Sequence, residues 1–310
     1  MASPKRPELN PSHRAMTYPH HAACVSLPTS AGLIIAALVY IRGWLRVRRP
    51  DSKYSVGAWR VISFLLGLFL IWTAIGSPVA RLDYTLLTAH MIKHLLLMTL
   101  APPLILLGTP LRPLLLGTPQ RILHVCGLLF RSSPVQQLAK DLTHPAICWL
   151  GATGALVAWH VPDLFVLGLR SEMWHWIEQA SFFATGLLFW WPVVHPLSIA
   201  TKWSQWSVLL YLFLATLPCD ILSAFLVFCD RVVYPVFLSS PQSFGLSAVE
   251  DQQCAGALMW TCVTVIYLVA GTLITARLLS PKSSPEWSVR QSGPPGVSIS
   301  TTVRQDVEVA

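Results

Sequence analysis

Charge is scarce in this chain. Asp, Glu, Lys and Arg make up only 12% of its 310 residues while 54% are hydrophobic, a balance that excludes a soluble enzyme and describes an integral membrane protein. Its seven cysteines include no C-x-x-C pair, which removes the spacing argument for a zinc ribbon or a thioredoxin-like thiol relay. There is no phosphate-binding loop, dinucleotide fingerprint or nucleophile motif, so the chain does not read as an enzyme. The net charge of +8 comes without the contiguous basic surface and reading element that a nucleic-acid partner requires. No internal repeat is visible.

What is present is a series of seven apolar runs, each near the roughly 20 residues of a spanning helix. They lie at about Leu27 to Leu45, Trp59 to Ser77, Leu86 to Gly108, Pro145 to His160, Trp174 to Val194, Trp206 to Phe228 and Gln253 to Leu278. The fourth is the shortest and is expected to borrow length from Asp163 to Leu169. Residues 1–26 form a polar, basic tail, residues 27–279 a polytopic transmembrane domain, and residues 280–310 a solvated disordered tail. The first run reads as an uncleaved signal anchor. Cys24 precedes that run instead of following it, so no lipobox is read there.

Lys and Arg set the orientation, because loops on the cytoplasmic side carry an excess of them. Arg42, Arg46, Arg48, Arg49, Lys53 and Arg60 crowd the first loop, and Arg112, Arg121, Arg131 and Lys140 the third. The short second loop holds only Arg81, balanced by Asp83. The fold expected is therefore an all-α bundle of about seven transmembrane helices, N-terminus outside and C-terminus cytoplasmic. Lys5, Arg6 and Arg14 in the N-terminal tail run against this scheme.

With that topology imposed, the intramembrane polar residues gather at the outer surface. His90 and His94 share one helix face near the start of the third helix. His160 ends the fourth, His175 and Glu178 open the fifth, and Asp251, Gln252 and Gln253 begin the seventh. Inward side chains from several helices are how bundles build metal sites. Imidazole suits copper, zinc, iron and nickel, and a carboxylate or amide commonly orients the ring nitrogen that does not ligate. Copper leads, and the residue types leave zinc and haem open. Such a histidine pair also serves to hydrogen-bond neighbouring helices or head groups.

Other residues receive plainer readings. Lys93 is expected to snorkel to the outer surface, or else to tune or shield the site. Asp220 lies deeper and requires a partner, an ion path or a helix-packing role. His124, His144 and His195 read as helix-start residues on the cytoplasmic side, and His13, His20 and His21 sit in the outer tail. Cys229 and Cys254 flank the last outer loop and are candidates for a disulfide. Met91, Met98, Met173 and Met259 are ordinary core fillers that also suit soft Cu(I).

The segment His90-Met91-Ile92-Lys93-His94-Leu95-Leu96-Leu97, followed by Ala101-Pro102-Pro103-Leu104, resembles the signature of the CtaG family of cytochrome c oxidase assembly factors, the multi-spanning kind associated with caa3-type oxidases. Further matches follow in order: Ala158-Trp159-His160-Val161-Pro162, His175-Trp176-Ile177-Glu178, Gly186-Leu187-Leu188-Phe189-Trp190-Trp191-Pro192, then Asp251-Gln252-Gln253 with Gly256 and Met259-Trp260. The likeness runs from about Trp59 to Leu279. Similar proteins commonly have a second histidine where Gln179 stands and Gln where Lys93 stands.

The resemblance implies help in building a haem-copper oxidase of a bacterial respiratory chain, in the cell membrane, by delivering copper to the catalytic subunit. Its partners would be oxidase subunits and other copper chaperones. His90 and His94 would be the primary ligands, His160 and His175 would complete or alternate with them, and Glu178, Asp251 and Gln252 would orient the rings. A copper or proton transporter and a haem-binding redox protein are the two competing readings.

Overall fold

The structure, a computed structural model, describes residues 27–47, 57–121, 123–124, 132–195, 205–238 and 244–280. The two tails expected at 1–26 and 281–310, with His13, His20, His21 and Cys24, lie outside the described residues, as do Arg48, Arg49, Lys53 and Arg131 of the basic loops.

Every regular element among the described residues is helical. In chain order they are α1 (Leu27–Val47), α2 (Ala58–Ile71), α3 (Leu87–His94), α4 (Ala101–Leu107), α5 (Leu111–Gly117), α6 (Ser133–Leu142), α7 (Pro145–His160), α8 (Pro162–Arg170), α9 (Glu172–Val194), α10 (Gln205–Phe228) and α11 (Ala248–Leu279). A π turn at Trp72–Gly76 prolongs α2, and another at Leu95–Leu100 joins α3 to α4. Each of the seven apolar runs thus falls on a helix.

Five stretches are long and apolar enough to cross a bilayer, namely Leu27–Val47, Ala58–Gly76, Leu87–Leu107, Trp206–Phe228 and Ala248–Leu279. Counting α7 with α8 as one bent span makes six. Asp163 to Leu169, expected to lengthen the fourth span, continues it only as a bent pair, since α8 turns from α7 by 78°. Pro162 is the cause: it has no N–H for the helix ladder, and it holds Val161 in an extended conformation (φ −66°, ψ 126°). Helix α9 has 23 residues, enough for a span, but the buried His175, Glu178 and Gln179 lower its hydropathy.

Lipid tails are as apolar as leucine, so close packing and polar contacts hold such helices together. Phe228, Ile221 and Leu268 accordingly face outward with 74%, 71% and 68% of their surface exposed. The buried clusters join helices distant in sequence. Met91 and Leu95 pack with Phe165 of α8 and with Ala255 and Met259 of α11, while Leu97 and Ala101 pack with Trp159 of α7 and Phe182 of α9. Helix α1 belongs to the bundle: Tyr40 is fully buried, donates to the Gly108 carbonyl at 2.8 Å and stacks on Phe64.

The π turn after His94 has a local origin. Pro102 and Pro103 cannot donate to the carbonyls of Met98 and Thr99, and the Ala101 N–H bonds back to Leu96, five residues away. Gly186 of α9 lies against this turn, where an added Cβ would stand 2.7 Å from the Met98 carbonyl oxygen. That close approach brings the start of α9 against α3. Gly186→Ala is expected to destabilise the protein by about 1–3 kcal/mol through overpacking. Gly154→Ala, where nothing lies within 4 Å, should cause no loss. Thermal melts of the two variants in detergent check this, and equal melting temperatures would show that the contact is not tight.

Candidate metal centre

Helices α3, α9 and α11 begin, and α7 ends, at one end of the bundle. Asp251, in the first turn of α11, ties two of them together. Its carboxylate accepts the Leu87 N–H at 2.7 Å and the Thr88 N–H at 3.1 Å, and Thr88 Oγ1 donates to the Asp251 carbonyl at 3.1 Å. A helix leaves its first N–H groups without internal partners, and here an acid from a distant helix accepts two of them. Helix α11 is itself started by a capping box, with Ser247 Oγ accepting from the Glu250 N–H and Glu250 accepting from the Ser247 N–H.

His90 and His94 then project from α3 toward α9. Their Nε2 atoms are 2.7 Å apart. Glu178 Oε1 lies 3.5 Å from His90 Nε2 and 3.4 Å from His94 Nε2. The three residues form a group whose donor atoms all lie within 4.8 Å of one another, and each is buried. Both Glu178 oxygens, and the Nδ1 atoms of both rings, lack hydrogen-bond partners. Gly168 of α8 closes the group from the side, where a Cβ would meet Glu178 Oε2 at 3.2 Å.

On the other flank His175 Nδ1 lies 3.4 Å from Glu178 Oε2, and its Nε2 lies 3.3 Å from Asp83 Oδ2 and 2.9 Å from Lys93 Nζ. The Lys93 amine bonds directly to the Asp83 carboxylate. Burial by itself would raise the Asp83 carboxyl, but the Lys93 ammonium, with the His175 ring, holds it down at about 2. The Asp83 carboxylate is therefore ionised throughout the physiological range. The sequence thus folds into two adjoining sets, a ligand-like trio (His90, His94, Glu178) and a charged flank (Asp83, Lys93, His175).

A family model described as cytochrome c oxidase caa3 assembly factor (Caa3_CtaG) matches residues 38–280. The chain belongs to this family. This Caa3_CtaG protein is also similar to an uncharacterized protein of Mycobacterium leprae (strain TN), 24% identical over 172 residues that cover 53% of this chain and 25% of that relative's length. No solved structure matches.

Several residues of this Caa3_CtaG chain stand elsewhere than their sequence placed them. Glu178, expected to orient the rings, offers its oxygen alongside their Nε2 atoms. Asp251 and Gln252, given the same orienting role, do not reach the rings. Asp251 caps α3, and Gln252 accepts the Val233 N–H at 2.8 Å while its amide donates to the Leu226 and Arg231 carbonyls. His160 lies apart from the trio, its ring centroid 6.3 Å from that of His94 and its Nδ1 2.7 Å from the Leu156 carbonyl. His175 reaches the trio only through Glu178. Lys93 does not snorkel: it is 3% exposed, because a buried ammonium needs the partner that Asp83 provides. Cys229 and Cys254 are both free thiols, so no disulfide joins them. His144 caps α7 by accepting the Ala146 N–H at 3.3 Å.

Asp83 is the member that sequence reasoning missed. Beside Arg81 in a short loop it reads as a solvated counter-charge, yet it is 2% exposed. The one signal was the nearby intramembrane lysine, which demands an acid. Removing either partner alone leaves a buried charge uncompensated, so Lys93→Met and Asp83→Leu should each destabilise by about 3–5 kcal/mol. The double variant should lose less than the worse single one. Denaturation of all three in detergent tests the pairing, and additive losses would refute it.

Proposed function

We propose that this protein assists assembly of a haem-copper oxidase by holding copper between His90, His94 and Glu178 and passing it to the oxidase. The observation that carries this reading is the buried trio itself, two imidazole nitrogens and a carboxylate oxygen within 4.8 Å of one another. With Glu178 unbonded by any hydrogen donor, the group has the composition of a metal site more than of a structural network. Three protein ligands leave a position open, which suits an ion that must be handed on.

Charge supports copper in its monovalent state. Glu178 and Asp83 supply two negative charges and Lys93 one positive, so a single positive ion neutralises the buried cluster, whereas a divalent ion would leave it positive in a medium that penalises charge. The His90 and His94 Nε2 atoms stand 2.7 Å apart, so an ion held between them would take both Nε2 lone pairs and leave each ring proton on Nδ1. The Lys and Arg distribution supports placing this end of the bundle on the outer face of a bacterial cytoplasmic membrane, with the N-terminus outside and the C-terminus cytoplasmic. Oxidase subunits and soluble copper chaperones are the partners this reading requires. Haem finds little room, since the cavity beside His94 and His160 measures about 40 Å³ against the roughly 300 Å³ or more of sites for larger organic ligands.

The test is oxidase activity and copper content in membranes of a strain lacking this gene, complemented with wild type, H90A/H94A or E178Q at matched expression. Wild type should restore activity, and both variants should fall at least tenfold short with less oxidase-bound copper. Equal restoration by all three would make the trio a structural network and refute the proposal.

A further inference from the structure

Beside His94 the bundle brings together a second set of sulfur and imidazole side chains that the trio does not use. The cavity of about 40 Å³ there is lined by His94 and His160 together with Met98 of the π turn, Cys219 of α10 and Met259 of α11. Three sulfur-bearing side chains from three helices thus share one small chamber. Cys219 and Met259 are 4% and 3% exposed, and Cys219 is a free thiol whose Sγ lies 3.9 Å from Ser223 Oγ. No Asp or Glu lines the chamber.

His160 adds an independent sign of a ligand. Its Nδ1 donates to the Leu156 carbonyl at 2.7 Å, which places the ring proton on Nδ1 and leaves Nε2 with a free lone pair. That Nε2 is buried without any hydrogen-bond donor, in a residue only 6% exposed. A histidine that donates one nitrogen to a backbone carbonyl while the other nitrogen goes unpartnered has the tautomer and orientation of a metal ligand. Thr99, Thr153 and Tyr267 also line the cavity, so water is the occupant that an ion there would have to displace.

We propose that Met98, Cys219, Met259 and His160 form a second, soft-metal site that takes Cu(I). This proposal rests on the copper reading of the trio, and His94, which borders both chambers, is the shared wall across which the ion exchanges ligands. Thioether, thiol and imidazole favour soft monovalent copper, and the absence of carboxylates from the lining disfavours hard or divalent ions. The cavity of about 40 Å³ has room for a single small ion. Exchange between the two sites requires no electron transfer, because the ion is Cu(I) in both.

The experiment is anaerobic titration of the purified full-length protein with Cu(I) against a chromophoric Cu(I) chelator, with X-ray absorption of the loaded protein. Wild type should bind two ions per chain with both sulfur and nitrogen or oxygen scatterers. The Met98→Leu/Met259→Leu variant, which conserves volume and leaves every cysteine in place, should bind one ion with thioether scattering lost and its melting temperature kept. Adding Cys219→Ser and His160→Gln should weaken any residual second binding at least a further tenfold. H90A/H94A/E178Q should keep a sulfur-ligated ion. Unchanged stoichiometry and scattering in the Met variant would overturn the soft site while leaving the trio standing. Loss of only the sulfur-ligated ion in that variant, with the trio variant still binding two, would uphold the soft site and refute the trio.

Discussion

A carboxylate removed from water must be neutralised where it stands, and Glu178 is fully buried. That constraint organises one end of the molecule. The His90 and His94 rings face one oxygen and His175 the other, so three imidazoles from two helices converge on a single side chain. His175 in turn meets Asp83 and Lys93, a pair that is itself neutral. The flank fixes where the Glu178 side chain can lie while contributing no net charge, and the charge left unbalanced belongs to Glu178. A cation or a proton must accompany it.

The backbone supplies the geometry that this convergence needs. Pro102 and Pro103 open the α3 helix into a π turn below His94, Gly186 lets α9 press against that turn, and Asp251 holds the first N–H groups of α3 from across the bundle. None of these touches the trio. Each nevertheless sets the spacing between the faces that bear it, and each is a polar or steric contact of the kind that holds helices together where hydrophobic burial gives no preference between protein and lipid. The short loop after Gly76 matters for the same reason, since its seven-residue 3-10 helix at Pro78–Tyr84 brings Asp83 beside Lys93.

Much of this end of the bundle was legible in the sequence because its signals are local. The four-residue spacing of His90 and His94 puts both rings on one face, and a seven-run hydropathy pattern with alternating loop charge brings His160, His175, Glu178 and Asp251 to the same end as those two. What the pattern did not contain was direction within that end. Depth alone made Glu178, Asp251 and Gln252 interchangeable orienters, whereas one turn of α11 carries Asp251 to the α3 N-terminus and Gln252 to the Val233 loop. Lys93 and Asp83 each looked ordinary by itself, a snorkelling cation and a loop acid. Only the fold makes them one buried pair. The turn at Pro162 was equally hidden, because the composition of Asp163 to Leu169 continues that of α7 while the backbone does not.

Two chambers separated by one histidine differ in the property that decides what they hold. The trio contains a fixed negative charge and nitrogen and oxygen donors. The space behind it is lined by neutral groups, namely sulfur, hydroxyls and one imidazole lone pair. In a low-dielectric interior an ion is drawn first to the fixed charge, since electrostatic attraction acts over several ångströms while coordination to neutral donors acts only at contact. The sulfur chamber can compete only for an ion that gains enough from soft ligands to offset that difference, which singles out Cu(I) among common metals. On the proposed copper reading, balance between the two sets is what would let an ion be held without being trapped.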